Sequence, residues 1–152
     1  MDEIKYIYIT CDNDKFKQAT RLRFSILFEP YNVIERYDYD EFDEVSLHLV
    51  VLNRDKVIAY SRMTNINEEG KITNVVVSSE YLNRGIGFQM MRRHINKAKE
   101  LKIDKLYLNA RLKTIKFYEK VGFKCEGNVV ISEKSGLALQ KMCIKIKICY
   151  TK

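Results

Sequence analysis

The sequence predicts an α/β (α+β) domain in which a mixed, mostly antiparallel sheet carries helices on both faces. Several short segments alternate between apolar and polar residues, which is the pattern of half-buried strands. Two longer segments place apolar residues at intervals of three and four, the pattern of helices packed on a core. One of these helices lies between two apolar strands, and such a unit is normally parallel and right-handed. With 152 residues, 46% of them apolar, the chain fits a single domain over residues 1–152.

In the N-terminal part, residues 4–10 form the first alternating segment and residues 14–28 the first helical one, which Asp12 or Asn13 can cap. Residues 29–44 are polar and acidic with little periodicity, which predicts a loop or a short helix. The other elements follow in chain order: strands over 45–52, 56–64 and 71–78, a helix over 87–101, a strand over 106–108, a helix over 111–121, and an antiparallel pair over 125–132 and 137–149.

The helix over residues 87–101 is predicted to pack through one face. Its apolar stripe consists of Phe88, Met91, Ile95, Ala98 and Leu101. His94 lies on the polar side of this helix, so we expect it to be exposed. Just before the preceding strand, residues 67–70 are predicted to form a turn.

Between that strand and the helix lies a turn with two glycines one residue apart, at positions 85 and 87. Glycines let a backbone approach a ligand closely, and the free N–H groups of a first helical turn favour an anion. A strand, a glycine turn and a helix in this order can therefore bind phosphate. The short motif alone is equally compatible with an ordinary connection.

The composition narrows the range of partners. The formal net charge is +7, which fits a nucleic acid, an anionic cofactor or an acidic partner. Lys141, Lys145 and Lys147 alternate along a strand, which is typical of a solvated face, and we expect no nucleic-acid partner. No apolar run approaches the ~20 residues that span a membrane, and the N-terminus lacks a secretory signal. Four cysteines without metal-ligand spacing fit a reduced, cytoplasmic protein without metal.

A second motif strengthens the interpretation of the glycine turn as a binding site. Residues 75–78, the turn over 84–87 and, after the next strand, Phe-Tyr-Glu-Lys-Val-Gly-Phe over 117–123 resemble the GNAT family of acyl-CoA-dependent N-acyltransferases. The resemblance covers nearly the whole chain, because the predicted order of elements is also that of the family. Shorter segments are similar to the small bacterial ElaA-like branch: 22–24, 38–40, 48–49, 58–62 and 136–142.

The resemblance implies a GNAT-like fold with one parallel, splayed strand pair, and acetyl-CoA (coenzyme A) as co-substrate. The strand over 71–78 would diverge from residues 107–109, and its free backbone groups would pair with the pantetheine arm. A backbone N–H near Val76 or Val77 would donate to the thioester carbonyl. The implied cofactor-binding residues are Val75, Val76, Val77, Leu82, Asn83, Arg84, Gly85, Ile86, Gly87, Phe88, Asn109 and Tyr118.

Tyr118 occupies the position of the family's general acid, which protonates the departing thiolate. The alternative is that Tyr118 only packs against the cofactor. The implied function is an N-acetyltransferase in which a primary amine of a small molecule, peptide or protein attacks directly. A non-catalytic CoA-binding sensor or regulatory module is the alternative function, because Lys71 lies where some members carry a carboxylate base.

The acceptor site is less defined. Candidate substrate contacts are Asp38, Asp40, His48, Arg62 and Asn74. The acidic segment 35–44 is interpreted either as an attractor of a cationic amine or as a solvated loop. Leu82, Leu112 and Leu139 stand where related sequences carry polar side chains. The oligomeric state stays open, with a homodimer as one possibility.

Overall fold

A computed structural model describes residues 2–31, 41–133 and 135–148 of the chain. Eight strands form one sheet in the order β1-β2-β3-β4-β5-β8-β6, with β7 also paired to β8. The strands are β1 Ile4–Ile9, β2 Leu47–Asn53, β3 Lys56–Ile66, β4 Glu69–Val77, β5 Lys105–Arg111, β6 Lys124–Cys125, β7 Val130–Ile131 and β8 Ala138–Lys145. The helices are α1 Phe16–Leu27, α2 Ile86–Glu100 and α3 Ile115–Val121. Short 3₁₀ helices lie at Glu29–Tyr31, Asp43–Val45, Ser79–Tyr81 and Leu112–Thr114.

The helices cover the two faces of the sheet unequally. Helix α1 packs on β3 and β4 from one side, and α2 packs on β3, β4 and β5 from the other, next to α3. Each face of the sheet has its own hydrophobic core. Neighbouring residues of β2 point to opposite cores, because Val50 belongs to the α1 core and Val51 to the α2 core. The mixed sheet with helices on both faces confirms the predicted fold class.

One parallel pair interrupts the antiparallel sheet. Strands β4 and β5 pair only at Gly70 with Leu106 and at Lys71 with Tyr107. Both strands continue beyond this point, to Val77 and Arg111, without pairing to each other. The gap between them past the Lys71–Tyr107 pair is called the fork below.

A β-bulge lies on the β4 side of the fork. Tyr60 pairs with Val76 and Arg62 pairs with Thr73, so Ser61 alone opposes two residues of β4. The extra residue is Asn74, whose φ of 57° is left-handed. Such a bulge bends its strand and ends regular pairing. The bulge therefore explains why β4 diverges from β5.

The predicted turn over 67–70 is shorter in the structure. Asn67 and Glu68 both have positive φ and connect β3 to β4 as a two-residue turn. Gly70 belongs to β4 instead, because a Cβ there would lie 2.4 Å from the Leu106 side chain. This glycine is required by close packing of the two strands and not by the turn.

The predicted packing face of α2 needs correction. His94, expected to be exposed, is completely buried. It shares the four-residue row of Ile86, Met90 and Ala98, so helical spacing turns it inward despite its polarity. Leu101, expected to be buried, is 52% exposed because the helix ends at Glu100.

The C-terminal elements are also shorter than predicted. The strand expected over 125–132 is divided into β6 and β7. Between them, the Gln140 side chain donates to the carbonyl oxygens of Glu126 (3.3 Å) and Gly127 (3.1 Å), and Gly127 has a φ of +77°. A side chain thus replaces part of the strand ladder. The helix predicted from residue 111 begins at Ile115, after a 3₁₀ turn.

Candidate functional site

The fork exposes backbone groups of β4. The Ser78 N–H donates to the Ile58 carbonyl on β3 at 2.8 Å. Backbone groups of successive strand residues point to opposite neighbours, so the N–H of Val77 points into the fork. Val75 and Val77 are half-buried against the α2 core, whereas Val76 is buried against α1. Of the two predicted donors, Val77 has the orientation that a bound ligand in the fork needs.

The glycine turn, residues 82–88, lies at the start of α2. Asn83 and Gly85 adopt left-handed φ values of 61° and 78°. The first intrahelical bond runs from the Gln89 N–H to the Gly85 carbonyl at 3.0 Å, so the preceding N–H groups have no helical partner. A Cβ at Gly87 would lie 3.2 Å from the Phe117 ring, while a Cβ at Gly85 would meet open space. The turn is shaped for close approach from outside and for close packing of α3 behind it.

Side chains of the glycine turn divide into two groups. Ile86 is buried and Phe88 is half-buried, so both anchor the turn to the α2 core. Leu82 is 54% exposed and supplies no polar atom. Arg84 lies over the Tyr81 ring and pairs with Asp2 at 3.4 Å on the exposed surface. Any anion bound at this turn would therefore be held chiefly by backbone N–H groups, with Arg84 as the adjacent charge.

Tyr118 lies between the glycine turn and the end of β5. It follows Phe117, which contacts Gly87, and the positive charge of Arg111 acts on its hydroxyl. Its ring packs edge-on against Phe117 at 4.9 Å and Phe123 at 5.9 Å. Burial raises the pKa of Tyr118 to about 12, against a smaller lowering by Arg111. The phenol is therefore protonated at neutral pH, the state that a proton donor needs.

Two asparagines border the fork. Asn109, on β5, is exposed beyond the last β4–β5 pair. Asn74, at the bulge, has its side-chain Nδ2 buried, with no hydrogen-bond partner among the described residues. A buried amide without a partner is costly, and a ligand carbonyl in the fork is one way to satisfy it.

Of the remaining candidate substrate contacts, His48 and Arg62 are buried. Asp38 and Asp40 fall outside the described residues. Asp43, a member of the same acidic segment, is completely buried and accepts two bonds from Arg23, at 2.9 and 3.1 Å. Arg62 donates to the same carboxylate at 2.9 Å and to Thr73 at 3.1 Å. Asp43 is thus neither a solvated residue nor an attractor for substrate, and Arg23, Asp43 and Arg62 are called the buried ion cluster below.

His48 belongs to the surroundings of the buried ion cluster. Its Nδ1 lies 2.6 Å from the Tyr60 hydroxyl and its Nε2 lies 2.6 Å from the Asp43 carbonyl oxygen. Burial lowers the pKa of His48, opposed by its bond to the Asp43 backbone. With no exposed surface, the ring lies inside the α1 layer and not on a surface that a substrate can reach.

A polar surface that the sequence did not single out lies on the other side of the fork. Lys105 pairs with Lys145 across β5 and β8, and Tyr107 pairs with Cys143. These side chains are exposed or half-buried, while the intervening Leu106 is buried on the α2 side. The open face is defined as Lys105, Tyr107, Asn109, Lys124, Glu126, Lys141, Cys143 and Lys145. The alternating lysines of β8 indicated part of the open face as a solvated strand face, but no sequence pattern indicated Glu126.

Glu126 lies at the centre of the open face. Its carboxylate accepts a bond from the Cys143 thiol at 3.0 Å and pairs with Lys105 at 3.3 Å and Lys141 at 3.4 Å. These three donors lower the pKa of Glu126 to about 2. Burial and the adjacent carboxylate raise the pKa of Cys143 to about 11. At neutral pH the carboxylate is therefore a poor base and the thiol a poor nucleophile.

Neither a metal site nor a membrane-spanning helix occurs in the described residues. No group of three or more His, Cys, Asp or Glu side chains there is arranged to hold a metal ion. No helix in the described ranges is both long and apolar enough to cross a membrane.

Comparison with known proteins places this geometry in context. The model of the Acetyltransferase (GNAT) family matches residues 13–123. The uncharacterised N-acetyltransferase YjcF of Bacillus subtilis is 26% identical over 129 residues, which cover 85% of this chain and 89% of YjcF.

Solved structures agree with this match at the level of fold. The Escherichia coli ElaA structure aligns with a TM-score of 0.80 and 20% identity, over 91% of this chain and 98% of ElaA. The spermidine N-acetyltransferase of Vibrio cholerae, solved with CoA and spermine, aligns with a TM-score of 0.70 and 18% identity, over 93% and 95% of the two chains. The expected likeness to ElaA is confirmed for the fold.

Proposed function

Because the chain belongs to the GNAT family of acetyltransferases, we propose that it transfers an acetyl group from acetyl-CoA to a primary amine by direct attack. The acceptor is a small molecule, a peptide or a protein. The fork carries this proposal, because it opens beside both the glycine turn and Tyr118. Together they supply an anion site, unpaired strand backbone and a proton donor at the carboxyl ends of β4 and β5.

The residues around the fork fit an acyl-CoA. Acetyl-CoA supplies an activated thioester, a pyrophosphate and a pantetheine arm. N–H groups at the start of α2 suit the pyrophosphate, since they lack helical partners and carry the positive end of the helix dipole. The backbone of β4 from Val75 to Val77 suits the amides of the arm. The Val77 N–H is the fixed donor for negative charge that develops on the carbonyl oxygen.

Tyr118 is proposed to move one proton. In acetyl transfer a C–N bond forms, the C–S bond breaks, and a proton of the amine ends on sulfur. Tyr118 has a pKa of about 12, whereas an ordinary thiol has a pKa of about 8.5. Proton transfer from this phenol to a free thiolate is therefore unfavourable by itself. Tyr118 therefore acts best as a relay that donates to sulfur while it regains a proton from the amine side. Its hydroxyl ends the cycle in the protonated state.

The amine must lose a proton, and the fork offers no evident base for it. Among the described acidic residues near the fork, Glu126 is held as a weak base, and Glu69 pairs with Lys105 at 3.7 Å. The acceptor is then expected to bind as the neutral amine. For a lysine-like amine, kcat/KM should rise about tenfold per pH unit between pH 7 and 9, measured by thiol release. A flat profile in this range would instead indicate a base within the protein.

The test of the proposed function compares wild type with Tyr118→Phe. We expect kcat for amine acetylation to fall by about 10²-fold or more, because the proton relay is lost. Coenzyme A should still raise the melting temperature of the variant, since the backbone contacts remain. Phe123→Leu is the matched control for packing, because Phe123 contacts the Tyr118 ring but carries no hydroxyl.

Two outcomes would contradict the proposal, one for the role of Tyr118 and one for the enzyme function itself. Turnover that survives Tyr118→Phe unchanged contradicts the role of the phenol. A coenzyme A-dependent rise in melting temperature with no turnover on any amine contradicts the enzyme proposal and supports a CoA-binding sensor.

A further inference from the structure

The bulge of β4 carries a side chain that the proposed mechanism does not use. Asn74 is the extra residue of this bulge, and its φ of 57° is left-handed. Its side-chain Nδ2 is buried and has no hydrogen-bond partner among the described residues. Buried polar groups are normally paired, because water no longer compensates for a missing bond. An unpaired donor beside a candidate site therefore indicates a partner that arrives with the ligand.

Asn74 lies at the base of the fork. Lys71, three positions earlier, is the last residue of β4 that pairs with β5. On its other side β4 still pairs with β3, where Ser61 opposes the bulge. The Ser61 hydroxyl is already bonded, since it lies 2.6 Å from His94 Nε2. The open side of β4 at this point is the fork, so a partner for the Asn74 amide enters there.

The proposed binding mode brings one particular oxygen to this position. Phosphates bound at the start of α2 place the far end of acetyl-CoA towards the base of the fork, because α2 follows the carboxyl end of β4. That far end is the acetyl thioester. The attacking amine needs its lone pair for the new C–N bond, so it accepts no hydrogen bond during attack. The thioester carbonyl oxygen is then the acceptor that gains negative charge near Asn74.

The dimensions of β4 allow two donors for this oxygen. The Cα atoms of Asn74 and Val77 are about 10 Å apart at the usual rise of a strand. An oxygen bonded from two opposite sides separates its donors by about 6 Å, and an asparagine amide nitrogen lies roughly 3–4 Å from its own Cα. The Val77 N–H and the Asn74 side chain can thus reach one carbonyl oxygen from its two sides.

From this geometry we propose that Asn74 is a catalytic residue whose Nδ2 donates a hydrogen bond to the thioester carbonyl oxygen of acetyl-CoA. The bond stabilises the negative charge that forms on this oxygen when the amine attacks. It weakens when the C–S bond breaks and the carbonyl forms again, and Asn74 keeps its protons throughout. The inference rests on the proposed acetyl transfer and adds a side-chain donor to the backbone donor at Val77.

A purely structural reason for Asn74 leads to a different expectation. Asparagine tolerates a left-handed φ, and glycine is the usual residue at the first position of such a bulge. Asn74→Gly therefore keeps the backbone conformation and removes only the amide. Asn67→Gly is the matched control, because Asn67 also has a left-handed φ, 51°, but is exposed in the turn between β3 and β4.

Infrared difference spectroscopy tests the hydrogen bond without an amine. The probe is acetyl-CoA labelled with ¹³C at the thioester carbonyl, whose stretching frequency falls when its oxygen accepts a hydrogen bond. In wild type and in Asn67→Gly, the bound label should absorb at a lower frequency than the free probe. Asn74→Gly should shift this band back towards the free value, and an unchanged band overturns the inference. If no probe binds to wild type, the proposed function fails together with the inference.

Kinetics distinguish a catalytic donor from a simple binding contact. With any amine that the wild type acetylates, Asn74→Gly should lower kcat by about 10²-fold, the usual effect of removing one donor to an oxyanion. The calorimetric affinity for coenzyme A should stay unchanged, since coenzyme A has no thioester carbonyl. Asn74→Asp keeps the shape but not the donor, and should be at least as slow. A wild-type kcat in Asn74→Gly, or an equal loss of coenzyme A affinity, overturns the inference while acetyl transfer itself stands.

Discussion

On the α1 face of the sheet the buried polar side chains include an ion cluster, whereas on the α2 face the buried His94 and its partners are neutral. Asp43 lies between Arg23 and Arg62 on the first face. On the second, His94 lies between the Tyr8 hydroxyl at 3.0 Å and the Ser61 hydroxyl at 2.6 Å. Buried charges need counter-ions within bonding distance, but a buried imidazole can give up its proton. The two faces thus tolerate polarity by different means.

The same division separates the two sides of the fork. The cofactor side belongs to α2, and its contacts come mainly from backbone N–H groups. On the α1 side the open face borders the fork, and its lysine and glutamate side chains pair with one another. Backbone contacts tolerate many sequences, whereas each paired charge depends on its partner.

The largest expected effect is on the charged side. Asp43→Asn leaves two buried arginines without their shared carboxylate, which should destabilise the protein by about 3–5 kcal/mol. The measurement is the free energy of unfolding in urea. Glu44→Gln is the control, because the adjacent carboxylate is exposed and should change stability by less than about 0.5 kcal/mol. Similar values for the two variants would contradict a structural role for the cluster.

A second prediction concerns the backbone contacts on the α2 side. Gly87→Glu places a side chain and a negative charge at the start of α2, where the added Cβ would lie 3.2 Å from the Phe117 ring. At about 100 times its dissociation constant, coenzyme A should stabilise wild type by about 2.7 kcal/mol, and the variant should lose this gain. For a chain of this size the shift in melting temperature is roughly 5–10 °C.

Asn96→Glu provides the control for that experiment. It adds the same charge to an exposed position further along α2. Its stabilisation by coenzyme A should equal that of wild type. If both variants respond to coenzyme A like wild type, the glycine turn is only a connection.

A smaller effect is expected on the neutral face, where the buried imidazole of His94 should make the free energy of unfolding depend on pH. Burial lowers the pKa of His94 to about 3, against about 6.5 in the unfolded chain. Between these values the unfolded state binds more protons, so acid favours unfolding. Stability should be complete above pH 6.5 and fall by about 2 kcal/mol between pH 7.5 and 5. Urea unfolding at both pH values should show a smaller loss in His94→Gln, and an equal loss would locate the effect elsewhere.

His94 also shows where sequence reasoning reaches its limit. The fold class and the glycine turn were predictable, because apolar periodicity and backbone-dependent motifs are local in the chain, whereas the fork was expected only from the resemblance to the GNAT family. The burial of His94 was not, since its polarity outweighed the four-residue row that it shares with Met90. Glu126 and Lys105 of the open face are 21 positions apart in the sequence, and only the pairing of the strands shows that they are in contact.

The smallest expected effect concerns one hydrogen bond on the neutral face. Tyr8→Phe removes the hydroxyl that lies 3.0 Å from His94 Nδ1 and keeps the ring that packs against it. We expect a loss of about 1 kcal/mol in the free energy of unfolding at pH 7.5. Tyr6→Phe is the control, since Tyr6 lies two residues earlier on the same face of β1 and packs with Arg93 through its ring. Equal losses of unfolding free energy in both variants would mean that the Tyr8 hydroxyl adds nothing to stability. The hydrogen bond between His94 and Ser61 would then be the one that stabilises the buried imidazole.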